Sequence, residues 1–261
     1  MPTWDADQYL RFADERTQAC RDLAARVAIA SPRRIIDLGC GPGNSTAILG
    51  ERWPSADLTG LDNSPRMIEA ARRDYPWGRW AVGDIATWTA GEGGPFDLVF
   101  SNAALQWVDD HAAAFPRLLG QVAPGGALAV QMPSNYDAPP HRMMRELAAS
   151  AAWRDRFPAG GIRQWHVHDP AFYYDVLARR AVRVDLWETE YIHMMSGAEA
   201  IVEWYKGTGL RPFFDALASD EDRSQFTAQY LEAIRAKYPR RPDGRVLFPF
   251  RRLFVVAYRS V

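Results

Sequence analysis

Cysteine is scarce: Cys20 and Cys40 are the only two in 261 residues. One falls in a helix-like stretch and the other inside a glycine loop, so no structural disulfide is expected and a reducing compartment fits. An excess of charge of one sign is also missing. The 31 Lys+Arg stand against 32 Asp+Glu, a net of −1, which leaves no general basic surface for nucleic acid or acidic lipid. No apolar run is long enough to span a bilayer, and the opening residues MPTWDADQYLRFADERTQ are charged where an export signal would be apolar. The expectation is a cytoplasmic protein without nucleic-acid or membrane partners, a monomer or a weak homodimer.

What is present alternates. RIIDL (34–38), ADLTGLD (56–62), RWAVGD (79–84), FDLVFSN (96–102) and GGALAVQM (125–132) read as strands. Helix-like stretches separate most of them: one runs from a cap at Asn44 or Ser45 toward Arg52, and one begins at Ser64-Pro65. This rhythm predicts an α/β fold with a doubly wound, seven-stranded, mostly parallel sheet. RVDLWETEYIHM (183–194) and LFVVAYRS (253–260) supply the last strands, with helical segments inserted among them. Residues 1–132 are expected to hold an N-terminal helix and a ligand-binding core. Residues 133–261 would complete the sheet and carry a helical cap, mainly 133–180 and 196–245, within one integrated domain.

The stretch IIDLGCGPG (35–43) is a strand that ends in glycines and opens a helix, the setting for a nucleotide-type ligand. Its spacing, Asp37-x-Gly39-x-Gly41-x-Gly43, differs from the dinucleotide pattern by an acid at the strand tip. A carboxylate there repels a pyrophosphate and attracts an ammonium group. S-adenosylmethionine carries an ammonium, a sulfonium and no phosphate. Asp62 ends the second strand, where an acid can accept both ribose hydroxyls, with Asn63 beside it. Asp84 can accept from an adenine amino group while Ile85 packs on the ring.

DLGCGPG, LDNSPRMIEAA, GDI and FDLVFSNAALQWV follow one another over residues 34–132. Together they resemble the signatures of class I, Rossmann-like S-adenosylmethionine-dependent methyltransferases. The resemblance implies S-adenosylmethionine as cofactor, bound by Arg16, Asp37, Gly39, Gly41, Asp62, Asn63, Asp84, Ile85 and Asn102, with S-adenosylhomocysteine as product. Arg16 would lie near the cofactor's carboxylate, since Tyr9, Phe12 and Arg16 share one helical face; simple packing on the sheet is the other reading of that face.

SNAALQW (101–107) lacks the proline pair and following aromatic common in methyltransferases of nitrogen acceptors. WDADQYLRFADERTQACRDL, SNAALQWVDDH and WYKGTGLRPFFDAL resemble instead the branch that esterifies a carboxylate of a small polycarboxylate. A carboxylate is ionised at neutral pH, so no catalytic general base is expected. Gln106 and Trp107 would position the reactants. The acceptor clamp is expected from Tyr9, Tyr205, Lys206, Thr208, Arg211 and His166, with Arg163, His168, Arg251 and Arg252 as weaker candidates. Lys206 and Gly207 can equally be a plain helix C-terminus. No metal is expected at WHVHD, where two histidines lack further ligands at regular spacing. Other carboxyl O-methyltransferases of the malonyl-carrier-protein type, a non-catalytic S-adenosylmethionine-binding regulator, and an NAD-dependent oxidoreductase remain as alternatives.

Overall fold

The structure, a computed structural model, describes residues 13–158, 162 and 167–260. Seven strands form one sheet: β1 (Arg34–Leu38), β2 (Asp57–Asp62), β3 (Arg79–Val82), β4 (Phe96–Asn102), β5 (Val122–Pro133), β6 (Ala181–Met195) and β7 (Val246–Arg259). Their order is β3-β2-β1-β4-β5-β7-β6. The β1–β2, β1–β4, β2–β3 and β4–β5 pairs are parallel, and β7 pairs antiparallel with β5. The helices are α1 (Ala13–Arg26), α2 (Asn44–Arg52), α3 (Pro65–Asp74), α4 (His111–Gly120), α5 (Pro139–Ala149), α6 (Pro170–Leu177), α7 (Ala198–Lys206), α8 (Arg211–Ala216) and α9 (Asp220–Lys237).

Caps explain most helix starts. Ser64 accepts from Met67 N with Pro65 in the first turn. Asp110, Asp169 and Ser219 accept from Ala113, Phe172 and Asp222 in the same way. Each satisfies an amide that a helix N-terminus would leave open. The glycine loop departs from expectation. Gly43, at φ 98, caps α2 without a side chain, and Ser45 turns its hydroxyl onto Asp37 instead. Strand β7 begins at Val246, seven residues before the expected 253, because Pro249 and the Arg251-Arg252 pair hide its alternation.

The described chain divides into two compact units. The sheet unit holds residues 13–134, 167–189 and 252–260; the helical unit holds 135–158, 162 and 190–251. Residues 167–180 belong with the sheet unit because α6 drives Tyr173 and Leu177 into its core, beside Phe115, Leu118, Val130 and Val255. The helical unit has its own core of Met144, Trp153, Ile201, Trp204, Phe226, Tyr230 and Phe248. Two buried clusters of this size satisfy two compact bodies separately. No helix of the described residues is long and apolar enough to cross a membrane.

Candidate active site

The site in the sheet unit starts from Asp37, next to last in β1 and fully buried. Ile36 and Leu38 join the core cluster on one face of the sheet, so alternation sends Asp37 to the other, toward α2. There Ser45 Oγ and Thr46 Oγ1 both donate to Asp37 Oδ2, at 2.5 and 2.7 Å. Oδ1 has no hydrogen-bond partner among the described residues. Burial pushes the carboxyl up to about 6, the two hydroxyls pull it down, and the charge of Asp62 adds to the rise. A half-satisfied buried carboxylate is costly unless something positive completes it.

The three glycines have separate reasons. A Cβ on Gly39 would meet Ala104 Cβ at 2.2 Å, so the glycine loop and the turn after β4 touch. A Cβ on Gly43 would strike Tyr75 at 2.6 Å. Gly41, at φ +55, faces open space. Its amide donates to Asp62 Oδ2 at 3.0 Å, while Asp62 Oδ1 accepts from Ser64 N at 2.9 Å. Asp62 thereby ties the loops after β1 and β2 together, and burial raises its pKa. Asn63 is exposed beside it. Asp84 is exposed and accepts from Ala86 N at 2.9 Å. Ile85 packs against the core, and Arg117 holds its carbonyl at 2.9 Å.

Beyond β4 the chain turns sharply. Ala103 takes φ 55, uncommon for a residue with a Cβ, and Gln106 Nε2 donates back to its carbonyl at 2.7 Å. Gln106 is buried and its Oε1 has no partner among the described residues; the same holds for Asn102 Oδ1 and Gln131 Nε2. Asn102 and Gln131 are register partners on β4 and β5, yet this acceptor and this donor do not bond each other. Arg252 Nη1 donates to Gln131 Oε1 at 3.2 Å, which turns the amide NH2 away. Trp107 is half-buried in the same turn. His111, missed in the sequence, lies beneath it: Nε2 is 2.8 Å from the Leu105 carbonyl and Nδ1 2.8 Å from Tyr173 Oη.

Residues 35–126 match the family model described as a methyltransferase domain. A protein of Azoarcus sp. (strain BH72), named trans-aconitate 2-methyltransferase, is 51% identical over 99% of this chain and 100% of its own. One of the same name from Methylobacterium radiotolerans is 50% identical over the full length of both. The chain belongs to the trans-aconitate 2-methyltransferase family. The fold also matches the YcgJ protein of Bacillus subtilis at a TM-score of 0.60 and 11% identity, over 94% of this chain and 99% of that one. Membership of this family accounts for the second unit's identity as well as the sheet's, since the similarity is not confined to the methyltransferase core.

In the helical unit, several expected acceptor residues have partners within the fold. Tyr205 is fully buried with its Oη bonded by Asn135 Nδ2 at 3.3 Å, and burial raises its pKa strongly. Lys206 Nζ pairs with Glu203 at 2.6 Å on its own helix. Thr208 Oγ1 donates to the Trp204 carbonyl at 3.1 Å. Arg211 opens α8 and is half-buried; that helix forms with Pro212 in its first turn. Gly207 has an ordinary φ of −80. Arg251 is exposed, while His168 is exposed in the sheet unit with its ring stacked on Phe172 at 3.9 Å. Tyr9, Phe12, Arg163 and His166, and the side chain of Arg16, lie outside the described residues.

Proposed function

We propose that the protein esterifies a carboxylate of trans-aconitate with the methyl group of S-adenosylmethionine. The observation that carries this reading is 51% identity along the whole length of a relative named for that reaction. The sheet unit fits the cofactor. Among the described residues Asp37 Oδ1 and Asn102 Oδ1 are acceptors without a partner, of the kind an ammonium completes. Gln131 Nε2 and Arg252 offer donors to a carboxylate on the same sheet. Open space at Gly41 admits a ligand against the backbone. Asp62 retains lone pairs for ribose hydroxyls after its backbone bonds, and Ile85 gives an apolar face for adenine.

When bound, S-adenosylmethionine supplies a methyl on a sulfonium: a carboxylate oxygen forms the new bond and the carbon–sulfur pair stays on sulfur. No proton moves, so the residues need only orient and desolvate. Gln106 and Trp107 are held for that by the Ala103 turn, whose shape Gln106 Nε2 and the His111 bond to the Leu105 carbonyl maintain. Arg211, half-buried at the start of α8, offers a guanidinium fork suited to a carboxylate, while Lys206 pairs with Glu203.

The test is incubation with methyl-labelled S-adenosylmethionine and a panel of di- and tricarboxylates. Base-labile label in trans-aconitate, absent without protein, is expected. Label on no polycarboxylate would overturn the reading.

A further inference from the structure

The bond from His111 to the Leu105 carbonyl is one end of a longer chain, all of it within the sheet unit. His168 N lies 3.1 Å from Tyr173 Oη, and Tyr173 Oη lies 2.8 Å from His111 Nδ1. A backbone amide only donates and a carbonyl only accepts, so the two ends fix the hydrogens between them. His168 N donates to Tyr173 Oη, Tyr173 donates its hydroxyl hydrogen to His111 Nδ1, and His111 Nε2 donates to the Leu105 carbonyl. Burial pushes the Tyr173 hydroxyl well above its usual range, so it keeps that hydrogen. An imidazolium would instead aim Nδ1–H at Tyr173 Oη and strand the hydroxyl hydrogen, which has no other acceptor among the described residues. The buried imidazole is thereby held as one tautomer, protonated on Nε2.

Packing alone does not explain this chain. The Leu105 carbonyl already accepts from Val108 N at 2.9 Å, so it needs no second donor. What the second bond restrains is a turn of unfavourable shape. Ala103 sits at φ 55, and such residues persist where their surroundings over-determine them. Gln106 Nε2 fixes the start of the turn through the Ala103 carbonyl, and His111 fixes its end. Between them lies Ala104, whose Cβ would stand 2.2 Å from a Cβ on Gly39, so the restrained turn abuts the glycine loop. Trp107 N donates to the Ala104 carbonyl at 3.1 Å. Tyr173 reaches this turn from α6, its ring 4.7 Å from that of Phe115 in the core.

We propose that Tyr173 and His111 are positioning residues for methyl transfer: the hydroxyl fixes the imidazole tautomer, and the imidazole fixes the turn that carries Gln106 and Trp107. The inference rests on the methyl-transfer reading above and deepens it. Neither side chain is assigned a chemical step. Their contribution is geometric, since a displacement of about 1 Å at a reacting centre costs on the order of a hundredfold in rate.

Nitrogen NMR of the histidine-labelled protein at neutral pH should show His111 protonated on Nε2 alone; a proton on Nδ1 would overturn the relay. His111→Leu removes the bond and keeps an apolar group in the core. Its kcat should fall at least about tenfold, with KM for trans-aconitate and S-adenosylhomocysteine affinity each within about threefold of the parent. His111→Gln can place an N–H at the same point and should recover kcat to within about threefold of the parent. Tyr173→Phe keeps the ring and should lower kcat at least about threefold. Equal losses in His111→Leu and His111→Gln, or no loss in Tyr173→Phe, would overturn the proposal.

Fluorine NMR of the protein carrying 5-fluorotryptophan gives a readout that needs no turnover, with the Trp107 line assigned by Trp107→Phe. That line should broaden or split in His111→Leu and stay sharp in His111→Gln. If the parent methylates no polycarboxylate yet the line responds in this way, the positioning stands and the esterification reading falls. An unaltered line in His111→Leu overturns the positioning whatever the activity. Should His111→Leu not fold, Tyr173→Phe carries both comparisons, because its ring packing is intact.

Discussion

The two units assemble polar groups in opposite ways. In the sheet unit they come from strand ends whose register fixes them: Asp37 on β1, Asn102 on β4, Gln131 on β5. In the helical unit the polar groups that meet come from different helices, His141 on α5 and Tyr205 on α7, far apart in the chain. The contiguous stretch YKGTGLR there, by contrast, spends Lys206 and Thr208 on its own helix. A parallel sheet turns sequence position into site position, whereas a helical bundle does so only through packing.

The sharpest way to break this contrast is to compare glycines. Gly39→Ala should unfold or grossly disable the sheet unit, costing more than about 3 kcal/mol, because φ is +75 and Ala104 Cβ stands 2.2 Å from the added carbon. Gly209→Ala should cost only about 1–2 kcal/mol, since His141 and Tyr205 side chains, at 2.9 and 3.0 Å, can shift. Chemical denaturation of both variants checks the order.

Asp62→Ala releases the amides of Gly41 and Ser64. S-adenosylhomocysteine affinity should fall at least about a hundredfold, as for the loss of two charge-assisted bonds, measured by calorimetry. A fall of less than about tenfold would show that the loops hold without it.

The units should also titrate with opposite sign. Asp37 lies near 6 in the fold against an ordinary 3.8, so between these values the native state binds more protons and stability falls as pH rises. The upper bound is about 3 kcal/mol. His141 lies near 3 against 6.5, so the unfolded state binds more protons and stability rises with pH across that window. Asp37→Asn should remove the falling contribution and leave the rising one, visible in denaturant midpoints from pH 4 to 7. The smallest effect belongs to Lys206→Ala. Its pair with Glu203 is about one-third exposed, so stability should change by no more than about 0.5 kcal/mol.

The sheet and the glycine loop were legible because apolar runs, glycines and acids sit at intervals dictated by strand–loop–helix geometry. Asp37, Gly41 and Asp62 are readable in nine consecutive residues plus one strand end. What spacing did not convey was that Ser45 and Thr46 take half of Asp37. Nor did it convey that Gln131 and Arg252, 121 residues apart in the chain, bond each other. The acceptor side was less legible for a physical reason: Tyr205 belongs to the buried face of α7, and an aromatic on such a face looks the same in sequence as one lining a site. The contact of His141 with Tyr205 carried no signal at all, since it depends on how α5 and α7 pack.

The central claim is that Asp37 keeps one oxygen uncommitted for a cation. S-adenosylhomocysteine affinity measured from pH 5 to 8 in the parent and in Asp37→Asn tests it most directly. Affinity in the parent should rise with pH through about 6 and then level, and the Asn variant should bind more weakly without that rise. Equal affinity in both proteins, or the same rise in both, would contradict the account.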